Sequence, residues 1–270
     1  MFDFSLVQGH MIQISRPPGK AAGKTSAGHI SMNEYNVVLV QKPLGAPITR
    51  ADLRLIGDFG PHFICFPEYF FVNRSLGNHG QTPHNQLMQI KRIEALSREF
   101  NAVVIGGTMP ESADGRLYNT CFVYDSGRPL GSYRKKNLFS PEVGIITPGN
   151  DFRVFSAYGI TFGVLICADV FHDGSFLFMK NSGAKIVFSP TFSLIKSETV
   201  EEKYARDNDI YVRGAKLADA VIVKVCGVRS DYKPYLQARS LIASPEGILY
   251  RVLPDQEHRS MIIRQKIVLE

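Results

Sequence analysis

The sequence predicts an α/β layered domain built on a mixed sheet or sheets. Short apolar runs of strand length alternate with helical patterns from about residue 36 to residue 269. A turn sequence between two of these runs adds an antiparallel hairpin, so the sheet cannot be purely parallel. The 270 residues are 44% hydrophobic, which is enough to bury one large core. We therefore expect one domain over residues 35–270.

Each predicted strand is an apolar run of about four to eight residues that ends at polar or turn residues. In chain order these runs are 36–41, 62–66, 102–106, 117–124, 129–135, 161–166, 185–189, 220–225, 240–243, 248–253 and 261–268. The segment 125–128, Asp-Ser-Gly-Arg, predicts the hairpin turn. Helical patterns fall at 51–58, 176–181 and 196–217.

The clearest helix begins at Thr82-Pro83, because Thr is a good N-cap and Pro suits the first helical turn. Its apolar stripe at helical spacing consists of Leu87, Ile90, Ile93, Leu96 and Phe100. This stripe predicts the face that packs on the sheet.

Residues 1–34 differ from the rest and predict a flexible or irregular extension. They combine Pro17-Pro18-Gly19 with several Gly, Ser and Ala residues and little periodicity. The segment 18–25 nearly matches a phosphate-binding loop. However, Pro18 replaces its first glycine and no apolar strand precedes it. We therefore reject a nucleotide site there.

Charge and cysteine content exclude several classes of protein. The net charge is +6, but the basic residues are scattered, so we expect no nucleic-acid partner. No apolar stretch is long enough for a membrane helix, and the first residues do not form a secretory signal. The four cysteines are widely spaced without a CxxC pair, which indicates reduced thiols, no metal site and a cytoplasmic location.

Three strand ends carry side chains that could do chemistry. Glu68 follows an apolar, aromatic run, where a carboxyl pKa should rise toward the range of a general base. Lys135 shares a strand face with Tyr133, and a buried lysine could stabilise an oxyanion. Cys167 ends a strand, where a helix N-terminus would lower its thiol pKa. Each has a plainer alternative: a solvated Glu, a solvated basic strand end and an inert core cysteine like Cys65.

Taken together, these motifs resemble the nitrilase superfamily, also called the carbon–nitrogen hydrolases. Members carry a Glu in a Pro-Glu segment, a Lys in Tyr-Arg-Lys-x-His-Leu and a Cys in Ile-Cys-x-Asp. The same order appears here as Pro67-Glu68, Tyr133-Arg134-Lys135-Lys136-Asn137-Leu138-Phe139 and Ile166-Cys167-Ala168-Asp169. The resemblance covers roughly residues 36–268.

The resemblance implies a four-layer α-β-β-α sandwich that assembles as a homodimer or larger homo-oligomer. It implies a hydrolase that cleaves a small amide or carbamoyl compound through a cysteine thioester and releases ammonia or an amine. Glu68 would be the general base, Cys167 the nucleophile, and Lys135 with the Ala168 backbone N–H the oxyanion donors. Glu142 would orient the substrate and the lysine. No metal or organic cofactor is required.

Two other functions stay open at this stage: acyl transfer to an amine, and binding by a fold that has lost its chemistry. The substrate class is also open, because the chain departs from the family pattern near the pocket. The departures are Asn137 for His, Ala168 for a larger residue, Ala218-Asp219 for Glu-Asn and Ala238-Arg239-Ser240 for Gly-x-Ser.

Overall fold

The computed structural model describes residues 34–72, 83–228 and 236–269. The predicted extension, apart from Glu34, the rejected loop at 18–25 and the helix cap Thr82 lie outside these residues.

Two mixed β-sheets form the centre of the described chain. The first contains β1 (Glu34–Gln41), β2 (Phe63–Cys65), β3 (Val103–Ile105), β4 (Met109–Ala113), β5 (Arg116–Asp125), β6 (Arg128–Arg134) and β13 (Met261–Val268). The second contains β7 (Val154–Ala157), β8 (Ile160–Val164), β9 (Ala184–Thr191), β10 (Val221–Cys226), β11 (Leu241–Ser244) and β12 (Gly247–Arg251). The two sheets together include all the predicted strand segments and add β4 and β7, which the sequence patterns did not predict.

The two sheets have a similar strand order, with parallel strands at the centre and antiparallel strands outside them. The first runs β13-β1-β2-β3-β5-β4, with β6 on the other edge of β5, and the second runs β12-β11-β10-β9-β8-β7. Strands β1, β2 and β3 are parallel neighbours, as are β8, β9 and β10, and the outer pairings are antiparallel. The parallel strands β2 and β8 therefore both end inside a sheet, where loops can bring side chains together.

Helices cover the outer faces of the sheets. They are α1 (Arg50–Gly57), α2 (Pro83–Phe100), α3 (Asp173–Asn181), α4 (Val200–Asp207) and α5 (Arg213–Ala218). A π-helical segment, Asn208–Val212, joins α4 to α5. Thr49 caps α1 by accepting a hydrogen bond from the Asp52 backbone N–H. None of the described helices combines the length and apolarity that a bilayer crossing requires.

Three apolar layers hold the sandwich together. Alternate side chains of both sheets, such as Phe63 and Phe188, meet in a core between the sheets. A second core lies under α1 and α2 and includes Ile56 and Ile93, and a third lies under α3 and α5 and includes Phe176. This arrangement confirms the predicted four-layer α-β-β-α sandwich.

Some local predictions were wrong in detail. Leu87, placed in the buried stripe of α2, is 52% exposed, so that stripe begins further along the helix. The predicted helix at 196–217 begins only at Val200, where Thr199 provides the N-cap. The predicted hairpin between β5 and β6 is confirmed, because the two strands pair antiparallel. Ser126 and Gly127 both have positive φ, as a two-residue hairpin turn requires.

Candidate active site

The structure brings Glu68, Lys135 and Cys167 to one end of the sandwich. Glu68 lies in the loop after β2, and Lys135 directly follows β6, so both come from the first sheet. Cys167 comes just after β8 of the second sheet. The cluster therefore bridges the two sheets, and each sheet supplies part of it.

Lys135 forms the centre of the cluster. Its Nζ lies 2.8 Å from Glu68 Oε1 and 2.7 Å from Glu142 Oε2. Lys135 and Glu68 are each 1% exposed, and Glu142 is 5% exposed. Glu142 reaches this position because a 3-10 turn, Ser140–Glu142, folds the loop after β6 back over the lysine.

Neutral donors hold the two carboxylates in place. Asn119 Nδ2 donates to Glu68 Oε1 and to Glu142 Oε1, at 2.8 Å in both cases. The Tyr69 hydroxyl also donates to Glu142 Oε1 at 3.0 Å, and the Phe139 N–H donates to Glu142 Oε2 at 2.8 Å. Each buried oxygen of Glu142 therefore has two donors, which fixes its orientation.

The two carboxyl groups beside Lys135 have pKa values that shift in opposite directions. Burial raises the pKa of Glu68, as does the neighbouring Glu142, while Lys135 opposes the rise. Burial also acts on Glu142, but Lys135 and the donors around it lower its pKa below the usual range. Burial disfavours the charged form of Lys135, yet the neighbouring acids raise its pKa overall. Lys135 therefore stays cationic and Glu68 is the carboxylate closer to accepting a proton.

Cys167 sits in a strained turn. It begins a 3-10 segment, Cys167–Phe171, with a φ of 44°, a value that is uncommon for residues other than Gly, Asn and Asp. Asp169 holds the turn by accepting hydrogen bonds from the Ile166 N–H and the Tyr133 hydroxyl at 2.8 Å, and from the Asn137 N–H at 2.9 Å. Ala168 is buried in the same turn.

Cys167 is a partly exposed residue, whereas Cys65, Cys121 and Cys226 are buried. The Cys167 Sγ lies 3.7 Å from the Phe192 carbonyl oxygen, and the thiol and the Glu68 carboxylate are close enough for each to shift the pKa of the other. Burial of the sulfur and the Glu68 charge raise the pKa of Cys167, against a smaller opposite effect of Lys135. The expectation that a helix N-terminus lowers this pKa was wrong, since only a short 3-10 turn follows the residue.

A cavity of about 160 Å³ opens beside Cys167. Its residues come from the loop after β6, the Cys167 turn, the end of β9 with the loop after it, α4, the π-helical segment, β10 and the segment before β11. They are Phe139, Cys167, Phe171, Thr191, Phe192, Ser193, Leu194, Lys196, Arg206, Asp207, Ile210, Tyr211, Lys224 and Arg239. The wall is thus mixed, with apolar rings on one part and buried charges on another.

Sequence reasoning missed several residues that complete the cluster. Asn119 and Tyr69 contact the carboxylates, and the Phe192 N–H donates to Glu68 Oε2 at 3.0 Å. Asn119 could have been noticed in the sequence, because it is a polar residue inside the apolar run of β5. The Phe192 N–H could not, because every residue except proline has a backbone N–H and the sequence does not show which ones reach the cluster. Among the described residues, no group of three or more His, Cys, Asp or Glu is placed to hold a metal ion.

Comparison with known proteins identifies the class to which this fold and cluster belong. The family model for carbon-nitrogen hydrolases matches residues 53–266. That match covers most of the chain, so the chain belongs to the carbon-nitrogen hydrolase family.

Individual relatives share between a quarter and a third of their aligned residues with this chain. The chain is 25% identical over 223 residues to nitrilase homolog 2 of Dictyostelium discoideum, covering 75% of this chain and 64% of that protein. It is 31% identical over 143 residues to omega-amidase NIT2 of Xenopus tropicalis, covering 47% and 52%. The human omega-amidase NIT2 is 27% identical over 198 residues, covering 65% and 72%. The matches to the first two relatives thus span less than two thirds of those proteins.

Solved structures share the fold. Saccharomyces cerevisiae Nit3, of the nitrilase superfamily, superposes with a TM-score of 0.68 at 21% identity, covering 90% of this chain and 93% of its own. An amidase from Nesterenkonia sp. superposes with a TM-score of 0.70 at 19% identity, covering 90% and 94%.

Proposed function

We propose that this chain is an amidase-type hydrolase that cleaves a non-peptide C–N bond of a small amide or carbamoyl compound. The observation that carries this proposal is one buried ammonium, Lys135, held between two carboxylates beside Cys167, which is the partly exposed one of the four cysteines. Burying such an ion cluster costs desolvation free energy, and clusters of this kind concentrate at functional sites. Here the cluster lies beside Cys167, which lines a cavity.

In the first step Glu68 takes the proton of the Cys167 thiol as sulfur attacks the amide carbonyl carbon. The raised pKa of Cys167 keeps the resting thiol protonated, so a base in contact with it is needed. Glu68 is near enough to the thiol to raise the pKa of Cys167, and its own raised pKa brings it nearer the range in which a general base works well.

The tetrahedral intermediate places negative charge on the former carbonyl oxygen. Lys135 and the backbone N–H of Ala168 are the proposed donors to that oxygen, a preorganised electrostatic role. Glu142 positions Lys135 through the 2.7 Å contact and cannot easily move, because four donors hold it.

Collapse of the intermediate breaks the C–N bond and leaves a thioester on Cys167. Glu68 gives its proton to the departing nitrogen, so ammonia or an amine leaves neutral. Glu68 then removes a proton from water, which attacks the thioester and releases the carboxylic acid and the thiol. As the carbon–sulfur bond breaks, Glu68 returns that proton to the sulfur, so the thiol of Cys167 and the carboxylate of Glu68 are both restored at the end of the cycle.

The relatives support an amide rather than a nitrile as substrate. Those named omega-amidase NIT2 include proteins of Xenopus tropicalis and Homo sapiens. A solved structure of a mutant of the Nesterenkonia sp. AN1 amidase, 17% identical to this chain, carries acrylamide joined to the active-site cysteine by Michael addition.

The test is ammonia release from a panel of small amides, carbamoyl compounds and nitriles by wild type and Cys167→Ala. Loss of the nucleophile should lower turnover by more than about 10³-fold. Cys226→Ala is the matched control, because that thiol is buried away from the cluster and its loss should leave turnover nearly intact.

Turnover that survives in Cys167→Ala would contradict the proposal. Hydroxylamine added to the wild-type reaction separates the remaining alternatives, since hydroxamate formed in place of free acid indicates acyl transfer. Thiol labelling that succeeds only after denaturation, together with no turnover, would favour a binding protein.

We also propose a cytoplasmic location and a homodimer or larger assembly. The four unpaired cysteines support the first, and the family resemblance supports the second. Sedimentation of the purified chain at the 30.1 kDa of a single copy would contradict the assembly.

A further inference from the structure

The backbone of Phe192 contacts both of the residues between which the proposed reaction moves its first proton. Its N–H donates to Glu68 Oε2 at 3.0 Å, across 124 positions of the chain. Its carbonyl oxygen lies 3.7 Å from Cys167 Sγ, across 25 positions. Glu68 follows a strand of the first sheet, and Cys167 follows a strand of the second. A single residue therefore links the carboxylate and the sulfur.

Phe192 has this position because it follows a central strand of the second sheet. Strand β9 pairs with β8 on one side and with β10 on the other, and Cys167 comes just after β8. Thr191 is the last residue of β9 that pairs with β10. Phe192 is the first residue beyond the strand, so its N–H is available to a side chain instead of a neighbouring strand.

The surroundings of Phe192 fix the direction of its N–H. Thr191 before it belongs to β9, and the Ser193 carbonyl oxygen after it accepts a hydrogen bond from the Gln237 N–H at 3.1 Å. The Phe192 ring packs against the core under α1 and α2. It also makes an edge contact with the Tyr69 ring, with the centroids 6.1 Å apart. The N–H is thus a preorganised donor, which does not have to reorient during the reaction.

The donors to Glu68 are divided unevenly between its two oxygens. Oε1 accepts hydrogen bonds from Lys135 Nζ and from Asn119 Nδ2, both at 2.8 Å. Among the residues that the structure describes, the Phe192 N–H is the one hydrogen-bond donor to Oε2. A carboxylate oxygen has two lone pairs, so both lone pairs of Oε1 are used, whereas Oε2 keeps one. Oε2 is therefore the oxygen that can accept a proton without losing a donor.

We propose that Phe192 is a positioning residue of the reaction, whose backbone N–H holds Glu68 so that Oε2, and not Oε1, takes the proton of Cys167. This inference rests on the proposed amidase function and assigns its first proton transfer to one atom. As the S–H bond breaks, its electron pair stays on sulfur and forms the bond to the amide carbon, while the proton goes to Oε2. Without the N–H, Oε2 has no donor and can turn away from the sulfur.

The direct test replaces the Phe192 N–H by an ester oxygen and leaves the ring in place. Phenyllactic acid is inserted at position 192 by nonsense suppression, and the matched control has phenylalanine inserted there in the same way. An N–H donor stabilises the ionised carboxylate, so its loss raises the pKa of Glu68. We expect the acid limb of kcat/KM to move up by about one pH unit and kcat on the plateau to fall about tenfold.

The other groups that titrate beside Glu68 are the same in both enzymes of this comparison. They are Lys135, Glu142, Cys167 and Tyr69. A difference in the acid limb is therefore due to the N–H. KM should change by less than about threefold, because the lost donor points at Glu68. A merely structural role would lower stability, measured by thermal unfolding, without moving the acid limb.

Conventional variants give a second comparison. Phe192→Pro removes the N–H together with the ring, whereas Phe192→Ala removes the ring alone. The acid limb of Phe192→Pro should lie about one pH unit above that of Phe192→Ala, since the donor is the difference between them. Coincident limbs in a folded pair would contradict the proposal.

The outcomes separate the two proposals. If the acid limb of the ester enzyme coincides with that of its control or lies lower, the role of the Phe192 N–H is wrong while the amidase function stands. If the control enzyme releases ammonia from none of the small amides, carbamoyl compounds and nitriles, the amidase function fails. Alkylation of Cys167 by iodoacetamide, followed across pH by mass spectrometry, then still tests the positioning. An acid limb of alkylation that lies higher in the ester enzyme supports it, and coincident limbs overturn it.

Discussion

At the scale of single residues, Glu142 governs how protons are shared in the cluster. It lies against Lys135, the same ammonium that contacts Glu68, so the two acids compete for one positive charge. Its negative charge is one of the causes that raise the pKa of Glu68. Protons on such a coupled pair belong to both acids, and removal of one acid must change the titration of the other.

We predict that Glu142→Gln moves the acid limb of the kcat/KM profile to lower pH. Glu68 must be ionised to act as base, so activity rises as pH rises through its pKa in the free enzyme. Removing the Glu142 charge removes one cause of the raised pKa of Glu68. It also leaves Glu68 as the one carboxylate paired with Lys135, and both effects lower the pKa of Glu68. The profile is measured with one amide from about pH 4 to pH 9.

The maximum rate of this variant should also fall, because Lys135 loses one of its two anchors. Glu99→Gln is the control, since Glu99 is exposed on α2 and should leave the acid limb in place. An acid limb that stays put or moves to higher pH in Glu142→Gln would show that Glu68 is not the base in this profile.

At the scale of elements, the loop after β2 is shaped by a glycine from another loop. Gly107, just after β3, has a φ of +61° and packs directly on the Pro67 carbonyl, next to Glu68. A Cβ at Gly107 would overlap that carbonyl group. Gly60 has nearly the same φ, +60°, but nothing lies within 4 Å of the position its Cβ would take.

We predict that Gly107→Ala is far more damaging than Gly60→Ala. Both changes force alanine into the left-handed region, at about 1–2 kcal/mol each. Only Gly107→Ala adds a steric overlap of about 1–3 kcal/mol, and it should displace Glu68 and lower kcat/KM at least tenfold. Urea unfolding and turnover of the two variants are compared. Equal activity in both would mean that this loop does not determine the position of Glu68.

At the scale of the whole molecule, the two sheets must keep a defined separation for the cluster to form. Strand β2 leads to Glu68 and strand β8 leads to Cys167. The same two strands meet in the core through Phe63 and Phe162, whose ring centroids are 5.3 Å apart. Phe63 is fully buried and also contacts the Phe188 ring at 5.2 Å. The aromatic core therefore helps to set the distance between Glu68 and Cys167, the proposed base and nucleophile.

We predict that Phe63→Leu lowers both stability and activity. The loss of ring packing should cost about 1–2 kcal/mol, and a shift of one sheet against the other should reduce kcat/KM severalfold. Phe100→Leu, in the layer outside the first sheet, should lower stability without a matching loss of kcat/KM at a temperature where both variants are folded. Full kcat/KM in Phe63→Leu would argue against this role of the core.

The sequence by itself determined most of the elements and predicted three residues that the structure brings together, Glu68, Lys135 and Cys167. Apolar periodicity and turn residues are local properties, so they located the strands, the hairpin turn at Ser126-Gly127 and the helix ending at Phe100. The ordered motifs around Glu68, Lys135 and Cys167 carried the family resemblance, because each motif is contiguous in the chain.

Tertiary structure alone decided the environment of those residues. Asn119, Tyr69 and the Phe192 N–H reach the cluster from separate segments, and Lys224 meets the cavity only because β10 lies beside β9. Burial and charge balance depend on such long-range neighbours. That is why the pKa of Cys167 is raised where a local argument predicted a fall. Local patterns specify which residues are present, and packing determines what electrostatic field each of them experiences.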